Sequence, residues 1–236
     1  MKTTHYALTA ICLMASFAAF AAKGGKAKSA AAEEAKLDKV VIDQFPKTGK
    51  PSTLAAPSVG GASIIGNCYT KPRRWIVLES KYTTYAKWQD QLTFTWHVLL
   101  ETKSATEKSK EDRENLAPYS YFTTTVTYYN IPKGSHAASV CLPPSYLERF
   151  GEAKAIGLVI TDKDGEILTG DAVSEVKGIE SHPASVETAF WNNPKVMDAK
   201  TKEGDPMIER RQGLLDRAKT IWALVNPNDY ETTVVQ

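Results

Sequence analysis

The sequence contains few of the residues from which metal and nucleophilic sites are built. Its 236 residues include 3 Cys and 4 His. None of the histidines lies in an HExxH pattern or in a closely spaced His/Cys cluster, which excludes the common signatures of a zinc site. The chain also lacks a Gly-x-Ser-x-Gly elbow and a glycine-rich phosphate loop. We therefore expect a non-enzymatic protein without a metal or cofactor.

The chain also lacks an excess of either charge. It carries 29 Lys and Arg against 27 Asp and Glu, a formal net charge of +2. This near balance excludes a strongly basic nucleic-acid-binding protein and a protein with an acidic tail. Hydrophobic residues make up 42% and charged residues 24%, which is typical of a globular domain with a core rather than of a disordered chain.

Long apolar runs are absent except for one near the N-terminus, which extends from Tyr6 to Phe20. It follows a single positive charge and ends in Ala-Phe-Ala at positions 19–21, a small-x-small cleavage pattern. A membrane-spanning helix needs about 20 apolar residues, so this run is too short. We predict a signal peptide over residues 1–21, with an uncleaved anchor as the alternative. The mature chain is then exported without a membrane span, to the periplasm, the outer membrane or the cell exterior.

The cysteines that remain after removal of the signal peptide form one pair, Cys68 and Cys141. An even number of cysteines in an oxidising compartment favours a disulfide. The bridge would close a loop of roughly 70 residues and stabilise the fold by about 4 kcal/mol in the chain-entropy model. The alternative is two separate buried thiols.

The domain organisation predicted from composition is simple. Residues 22–37 consist mostly of Ala, Lys, Gly and Ser and are expected to form a flexible linker. Residues 38–236 are expected to form a single β-sandwich domain with a C-terminal extension.

The strand pattern is clearest over residues 88–101, where large apolar side chains alternate with Thr and His. A period of two indicates a strand with one buried face. Residues 119–131 and 135–142 predict two further antiparallel strands, joined by a turn at Pro132-Lys133-Gly134. Residues 153–161 and 166–173 predict a hairpin, because the Asp-Lys-Asp-Gly connection between them suits a tight turn.

Helices are expected to be short and few. Residues 145–150 predict one or two helical turns closed by Gly151, and residues 207–223 predict a helix that begins after Asp205-Pro206. Many strands separated by turns, with little helix, predict a mainly β fold. The expected architecture is an immunoglobulin-like antiparallel β-sandwich with short helices.

The candidate interaction face lies on the strand at residues 119–131. Tyr119, Tyr121 and Tyr129 share one face of this strand with three threonines, at positions 123, 125 and 127. Aromatic side chains on a sandwich most often fill its core, which is the simpler interpretation. On an outer face they can stack on sugar rings or form a protein interface.

Other reactive side chains give weaker patterns. Cys141 and His136 are five apart on one strand, so they are expected to point to opposite faces and not to form a nucleophile–base pair. Acidic residues around the hairpin at 162–171 suggest turn and surface positions rather than a calcium loop. A hydrolase that uses a pair of dispersed carboxylates remains an alternative, since spacing alone does not exclude it.

Longer segments of the chain show a resemblance to a known family. They are WQDQLTFTWHVLLETK, YFTTTVTYYNIPKGSHAASVCLPPSYLERFG, AIGLVITDKDGEI, FWNNP and LLDRAKTIWALVNPNDYE. In this order they resemble the small exported proteins encoded beside type IV pilus-like assembly genes in Akkermansia and related Verrucomicrobia. The resemblance covers roughly residues 70–232, with most of its weight on 131–136 and 144–151.

The resemblance implies an immunoglobulin-like sandwich and a non-enzymatic accessory role in a type IV pilus-like system. The implied partners are envelope or pilus-assembly proteins, reached through protein–protein contacts. No functional residue carries over from the family. The alternative function is a carbohydrate-binding or adhesin module that recognises glycans through exposed aromatic residues.

Overall fold

The computed structural model describes residues 39–48, 52–55, 74–102 and 117–223. Within these ranges the strands are β1 (Val40–Gln44), β2 (Ser52–Ala55), β3 (Arg74–Glu101), β4 (Tyr119–Leu142), β5 (Glu152–Thr161), β6 (Ile167–Ser174), β7 (Ile208–Arg211) and β8 (Leu215–Asp216). Short helices lie at Pro144–Phe150 and Pro194–Met197, and 3₁₀ turns at Val186–Thr188, Phe190–Asn192 and Arg217–Lys219. The predicted mainly β, antiparallel fold class with short helices is confirmed.

All of these strands belong to one sheet with the order β6-β5-β3-β4-β7. The two long strands, β3 and β4, pair with each other along almost their whole length. β1 and β2 pair with the first half of β3, and β5 pairs with its second half. β7 pairs with the start of β4 in the parallel direction, whereas β8 pairs with the end of β4 in the antiparallel direction.

The sheet folds over on itself where β3 and β4 change register, between Thr84 and Trp88. Even-numbered side chains of β3 are buried on both sides of this point and enter one core. They are Ile76, Leu78 and Tyr82 in the first half, and Leu92, Phe94, Trp96, Val98 and Leu100 in the second half. The two layers of the fold are therefore the two halves of one bent sheet.

Polar contacts at the bend replace the ladder hydrogen bonds that the register change interrupts. The buried Thr84 hydroxyl donates to the Pro132 carbonyl oxygen at 2.8 Å and accepts from the Gly134 N–H at 3.2 Å. His136 Nε2 lies 2.8 Å from the same Pro132 oxygen. A proline has no N–H to give to a ladder, and it is tolerated in a strand at such a bulge.

The predicted turn at residues 132–134 was wrong. β4 runs without interruption through Pro132 and Gly134, and both predicted strands pair with β3 rather than with each other. The chain does not reverse at the proline and glycine, because this part of β4 lies opposite a bulge in β3, where residues 85–87 face the single residue Lys133.

The C-terminal region differs from the helix predicted over residues 207–223. It forms β7, β8 and one 3₁₀ turn. Gly213, at φ 125°, separates the two strands, and edges of β4 are available to pair with each of them. Tertiary pairing therefore overrides the local helical pattern.

Two local predictions are confirmed. The helix Pro144–Phe150 ends at Gly151, whose N–H donates to the Leu147 carbonyl oxygen at 3.1 Å. β5 and β6 form the predicted hairpin, and the Asp162 carboxylate accepts N–H groups from two residues of the connecting turn.

The predicted signal peptide over 1–21, the linker over 22–37 and Cys68 lie outside the described residues, and these predictions stay predictions. The part of the predicted domain 38–236 that the structure describes contributes its strands to a single sheet. Among the helices in the described ranges, none has the length and apolar character needed to cross a membrane.

Candidate functional site on the outer sheet face

The outer face of the second half of the sheet carries the candidate site. Odd-numbered residues of β3 point outward here, opposite odd-numbered residues of β4. The pairs are Thr93 with Thr127, Thr95 with Thr125, His97 with Thr123, Leu99 with Tyr121, and Glu101 with Tyr119. One end of this face is covered by residues 176–207, which we call the covering segment, and the other end is open.

His97 lies at the border of the covered end. Its Nδ1 is 2.6 Å from the hydroxyl oxygen of Tyr121, and both side chains are buried. The indole of Trp191 stacks on the imidazole, with ring centroids 4.3 Å apart and an angle of 4° between the planes. The covering segment thus holds the histidine between a tyrosine hydroxyl and an aromatic ring.

Gly157 explains how Trp191 approaches so closely. Gly157 pairs with His97 across β5 and β3, and a Cβ atom at this position would lie 2.0 Å from the indole ring. The absence of a side chain therefore makes room for the ring. A glycine within a buried strand is a known sign of such a close approach.

Burial controls the protonation of this cluster. It lowers the pKa of His97 from 6.5 to about 4 and raises the pKa of Tyr121. At neutral pH both groups are therefore uncharged. This is the arrangement of a histidine that holds a covering segment in place, rather than of a solvent-accessible base.

A cavity of about 360 Å³ lies beside the covered end. Its apolar wall is formed by both the sheet and the covering segment, and Lys177 and Lys195 also line it. The apolar lining residues are Leu99, Tyr119, Val176, Ile179, Val196, Ala199, Met207 and Ile208.

The open end of the face consists of paired threonines. The hydroxyl oxygens of Thr93 and Thr127 are 3.3 Å apart, and those of Thr95 and Thr125 are 3.5 Å apart. Thr123 donates to the Trp96 carbonyl oxygen at 2.9 Å. We call these five residues the threonine face. Their cross-strand pairing fixes a polar surface on a rigid part of the sheet.

The three predicted interaction tyrosines occupy different environments. Tyr121 is only 8% exposed and belongs to the covered cluster. Tyr119 is half-buried, and its hydroxyl donates to Glu101 Oε1 at 3.4 Å. Tyr129 is 44% exposed. The residue alternation predicted the shared face, but it carries no information about the covering segment, which comes much later in the chain. The sequence patterns did not predict that Trp191 packs on this face. The glycine at position 157, within a buried strand, is the sequence feature that indicates such a close approach.

The other candidate side chains do not converge. Cys141 is buried beside Val77, on the face opposite to that of His136, and burial raises the pKa of its thiol to about 11. Its predicted disulfide partner, Cys68, lies outside the described residues. His182 is paired with Asp171, 3.0 Å away. Within the described ranges no group of three or more His, Cys, Asp or Glu side chains is placed to hold a metal ion.

The free edge of β6 is partly closed. His182 donates its N–H to the Ala172 carbonyl oxygen at 2.7 Å. The Ser181 hydroxyl accepts from the Ser174 N–H at 2.8 Å and donates to the Ser174 carbonyl oxygen at 3.0 Å. Val186 lies over Gly170 on the same strand. These contacts block this part of the edge from pairing with another strand.

Comparisons with known proteins identify relatives by family and by fold. A protein-family model matches residues 31–233, more than half of the chain. A crystal structure from Akkermansia muciniphila is 17% identical, with a TM-score of 0.51 over 79% of this chain and 88% of that chain. This degree of likeness shows a common fold.

A weaker structural likeness involves the crystal structure of the GH3 β-glucosidase from Bifidobacterium adolescentis. It is 10% identical, with a TM-score of 0.24 over 72% of this chain and 20% of that chain. The likeness is too weak to inform the activity of this chain. No curated protein matches the sequence.

Proposed function

This chain belongs to the protein family whose model matches residues 31–233, and we propose that it is an exported, non-enzymatic accessory protein. It acts through protein–protein contacts in the cell envelope, as an accessory of a type IV pilus-like system. The apolar run and cleavage pattern at residues 1–21 support export. The resemblance of residues 70–232 to exported proteins encoded with pilus-like genes supports the choice of partner.

One observation carries the choice of binding surface. The threonine face is solvent-accessible, is held by cross-strand hydroxyl pairs, and lies directly beside a segment that already packs on the same sheet. A second protein can extend that cover over the open end. Because the free edge of β6 is partly closed by Ser181 and His182, we assign the contact to the face of the sheet rather than to this edge.

The side chains of the covered cluster support binding rather than catalysis. His97 is 8% exposed, hydrogen-bonded and stacked under Trp191. A substrate would have to displace the indole to reach it. The cluster therefore fixes the covering segment and defines one border of the binding face.

The test is capture of partners from a native envelope by cross-linking and mass spectrometry, comparing the wild-type protein with a variant of the threonine face. Thr95→Lys combined with Thr125→Lys introduces two bulky cations on the face while leaving the inner core untouched. We expect pilus secretin or alignment-complex proteins to be recovered with the wild type and lost with the variant.

Thr53→Lys is the matched control, because Thr53 is also an exposed strand threonine but lies in β2. It should capture the same partners as the wild type. Recovery of no envelope assembly protein by the wild type would contradict the assembly role. Equal recovery with the threonine-face variant would contradict the choice of surface.

Glycan binding is the second candidate, and three exposed aromatic side chains favour it. Trp88 is 58% exposed, Tyr129 44% and Tyr85 41%. Exposed rings of this kind can stack on sugars. Quenching of tryptophan fluorescence by mucin sugars, abolished by Trp88→Ala, would support this function over the first. An unchanged emission spectrum would exclude Trp88 as a sugar-stacking residue.

A further inference from the structure

A second cavity, of about 380 Å³, lies on a different part of the molecule and has a strongly cationic lining. Three arginines border it: Arg149 from the helix Pro144–Phe150, and Arg210 and Arg211 from β7. The remaining lining residues are Ser145, Tyr146, Phe150 and Gln212, so no acidic residue of the described chain lines this cavity.

Phe150 organises two of the arginines. The Cζ atom of Arg149 is 5.2 Å from the centroid of the Phe150 ring, and that of Arg211 is 4.7 Å from it. The ring is 6% exposed and packs edge-on against Phe122, with centroids 5.6 Å apart. The core thus fixes the surface on which both guanidinium groups rest. A guanidinium group over an aromatic ring keeps N–H donors for a ligand.

The three arginines differ in what already binds them. Arg211 is held by the Glu209 carboxylate and donates from Nε to the Ser120 hydroxyl at 3.3 Å. Arg149 and Arg210 are exposed and form no ion pair with any acid of the described ranges. Arg211 is therefore anchored, whereas Arg149 and Arg210 have no partner acid among the described residues.

The loop between β7 and β8 is packed against another lining residue. A Cβ atom at Gly213 would lie 2.3 Å from the Tyr146 ring and hydroxyl. Gly213 also has a φ of 125°, which side-chain-bearing residues rarely adopt. The position of the loop next to Gln212 is thus fixed by close contact with the helix that carries Arg149.

We propose that this cavity binds a tetrahedral oxyanion, a phosphate or sulfate group. The guanidinium groups of Arg149 and Arg211, from two separate elements, converge over the Phe150 ring, and Arg210 also lines the cavity. A multiply charged anion relieves the repulsion between these positive charges. Ser145 and Gln212 also line the cavity, and their side chains carry neutral hydrogen-bond donors. The site is independent of the threonine face and of the partner proposed for it.

The experiment is calorimetric titration of the full mature chain with inorganic phosphate and with sodium sulfate, in chloride buffer at constant ionic strength. Constant ionic strength separates specific binding from general screening. We expect saturable binding of at least one of the two anions. Arg149→Gln combined with Arg211→Gln should weaken that binding by about tenfold or more, because the two guanidinium groups over the Phe150 ring are lost.

Lys81→Gln combined with Lys87→Gln is the control for charge, since both lysines are exposed and neither lines the cavity. This control should bind the anion as the wild type does. Circular dichroism and thermal unfolding without ligand would verify that the arginine variant is folded. Saturable binding lost only in the arginine variant supports the site. Absence of binding to the wild type, or equal weakening in both double variants, overturns it.

A third titration separates a free ion from an ester. Glycerol 3-phosphate presents the same oxyanion on an organic group. Binding at least as tight as that of inorganic phosphate, and sensitive to the arginine substitutions, assigns the site to phosphate esters. Binding of inorganic phosphate alone assigns it to the free ion. Both outcomes support the oxyanion site, whereas a failure of both anions and the ester overturns it.

Discussion

Tyr82 and Phe94 belong to the same strand, yet their rings touch, with centroids 4.8 Å apart. A straight strand rises about 3.3 Å per residue and would separate the two residues by roughly 40 Å. The contact therefore shows that the two halves of β3 fold back onto each other at the bend. Both rings enter the same core, so the bend is stabilised by burial on its concave side.

The first prediction concerns the polar group inside this bend. Thr84→Val keeps the shape of the side chain but removes the hydroxyl that contacts the Pro132 oxygen and the Gly134 N–H. We expect a loss of about 1–3 kcal/mol in the free energy of unfolding, because buried polar groups are left without a partner. Urea denaturation of the wild type and the variant measures this difference in the free energy of unfolding.

The adjacent Thr83 provides the control for this substitution. Its hydroxyl donates to an Asp43 carboxylate oxygen at 2.6 Å, but this contact is exposed to solvent. Thr83→Val should therefore cost only about 0.5 kcal/mol. An equal cost for both substitutions would show that the Thr84 contacts do not stabilise the bend.

The second prediction tests the contact between Gly157 and Trp191. Gly157→Ala places a methyl group where the indole ring now lies and should displace the ring from His97. We expect a loss of about 1–3 kcal/mol, typical of an overpacked site, and a shift in tryptophan emission. Denaturation and fluorescence of the variant give the two readouts.

A double-mutant cycle separates this clash from an intrinsic effect of alanine in the strand. In a Trp191→Ala background the methyl group meets no indole, so Gly157→Ala should cost much less. The same cost in both backgrounds would contradict the close packing of Trp191 on Gly157.

The third prediction is a pH dependence of stability. Burial lowers the pKa of His97 to about 4, so below its ordinary value of 6.5 the unfolded chain binds a proton that the folded chain excludes. The contribution of His97 to the free energy of unfolding therefore has its full value above pH 6.5. It is lost as the pH falls towards 4, which lowers the free energy of unfolding by about 3 kcal/mol. His136, whose pKa is also lowered by burial, acts in the same direction.

His97→Gln provides the comparison, because glutamine does not titrate and can still bond to Tyr121. Urea denaturation across this pH range should show a shallower decline for the variant than for the wild type. The partly buried Asp216, whose pKa is raised by desolvation, acts in the opposite direction in both proteins and cancels in the comparison. Parallel curves would mean that His97 is not the group responsible.

The fourth prediction concerns Cys141. Its thiol is 1% exposed and burial raises its pKa to about 11, so it should not react with an alkylating reagent in the folded protein. In urea without reductant, alkylation distinguishes a disulfide between Cys68 and Cys141 from two separate thiols. Two modified cysteines in the mature chain mean separate thiols, and none means the disulfide between Cys68 and Cys141.

The sequence predicts those features that depend on neighbouring residues. The hairpin of β5 and β6 and the helix ending at Gly151 follow from local turn and capping chemistry, and both are found. The alternation in β3 also places His97 on the outer face with the threonines.

The features that the sequence does not predict depend on pairing between strands that are far apart in the sequence. The Pro132-Lys133-Gly134 segment has the composition of a turn, and only its pairing opposite a bulge of β3 keeps it within one strand. Likewise, a helical pattern after Asp205 is overridden because strand edges of β4 are available. Tyr121 is buried by the covering segment, which is distant in the sequence. No local sequence pattern predicts that contact.

The parallel pairing of β7 with β4 joins segments that lie far apart in the sequence. Arg211 reaches Ser120 across 91 residues of sequence, whereas the hairpin of β5 and β6 closes over a few. Contacts of such long sequence separation carry a large loop-closure cost and slow folding. The cationic cavity therefore exists only in the finished protein, because β7 supplies two of its three arginines.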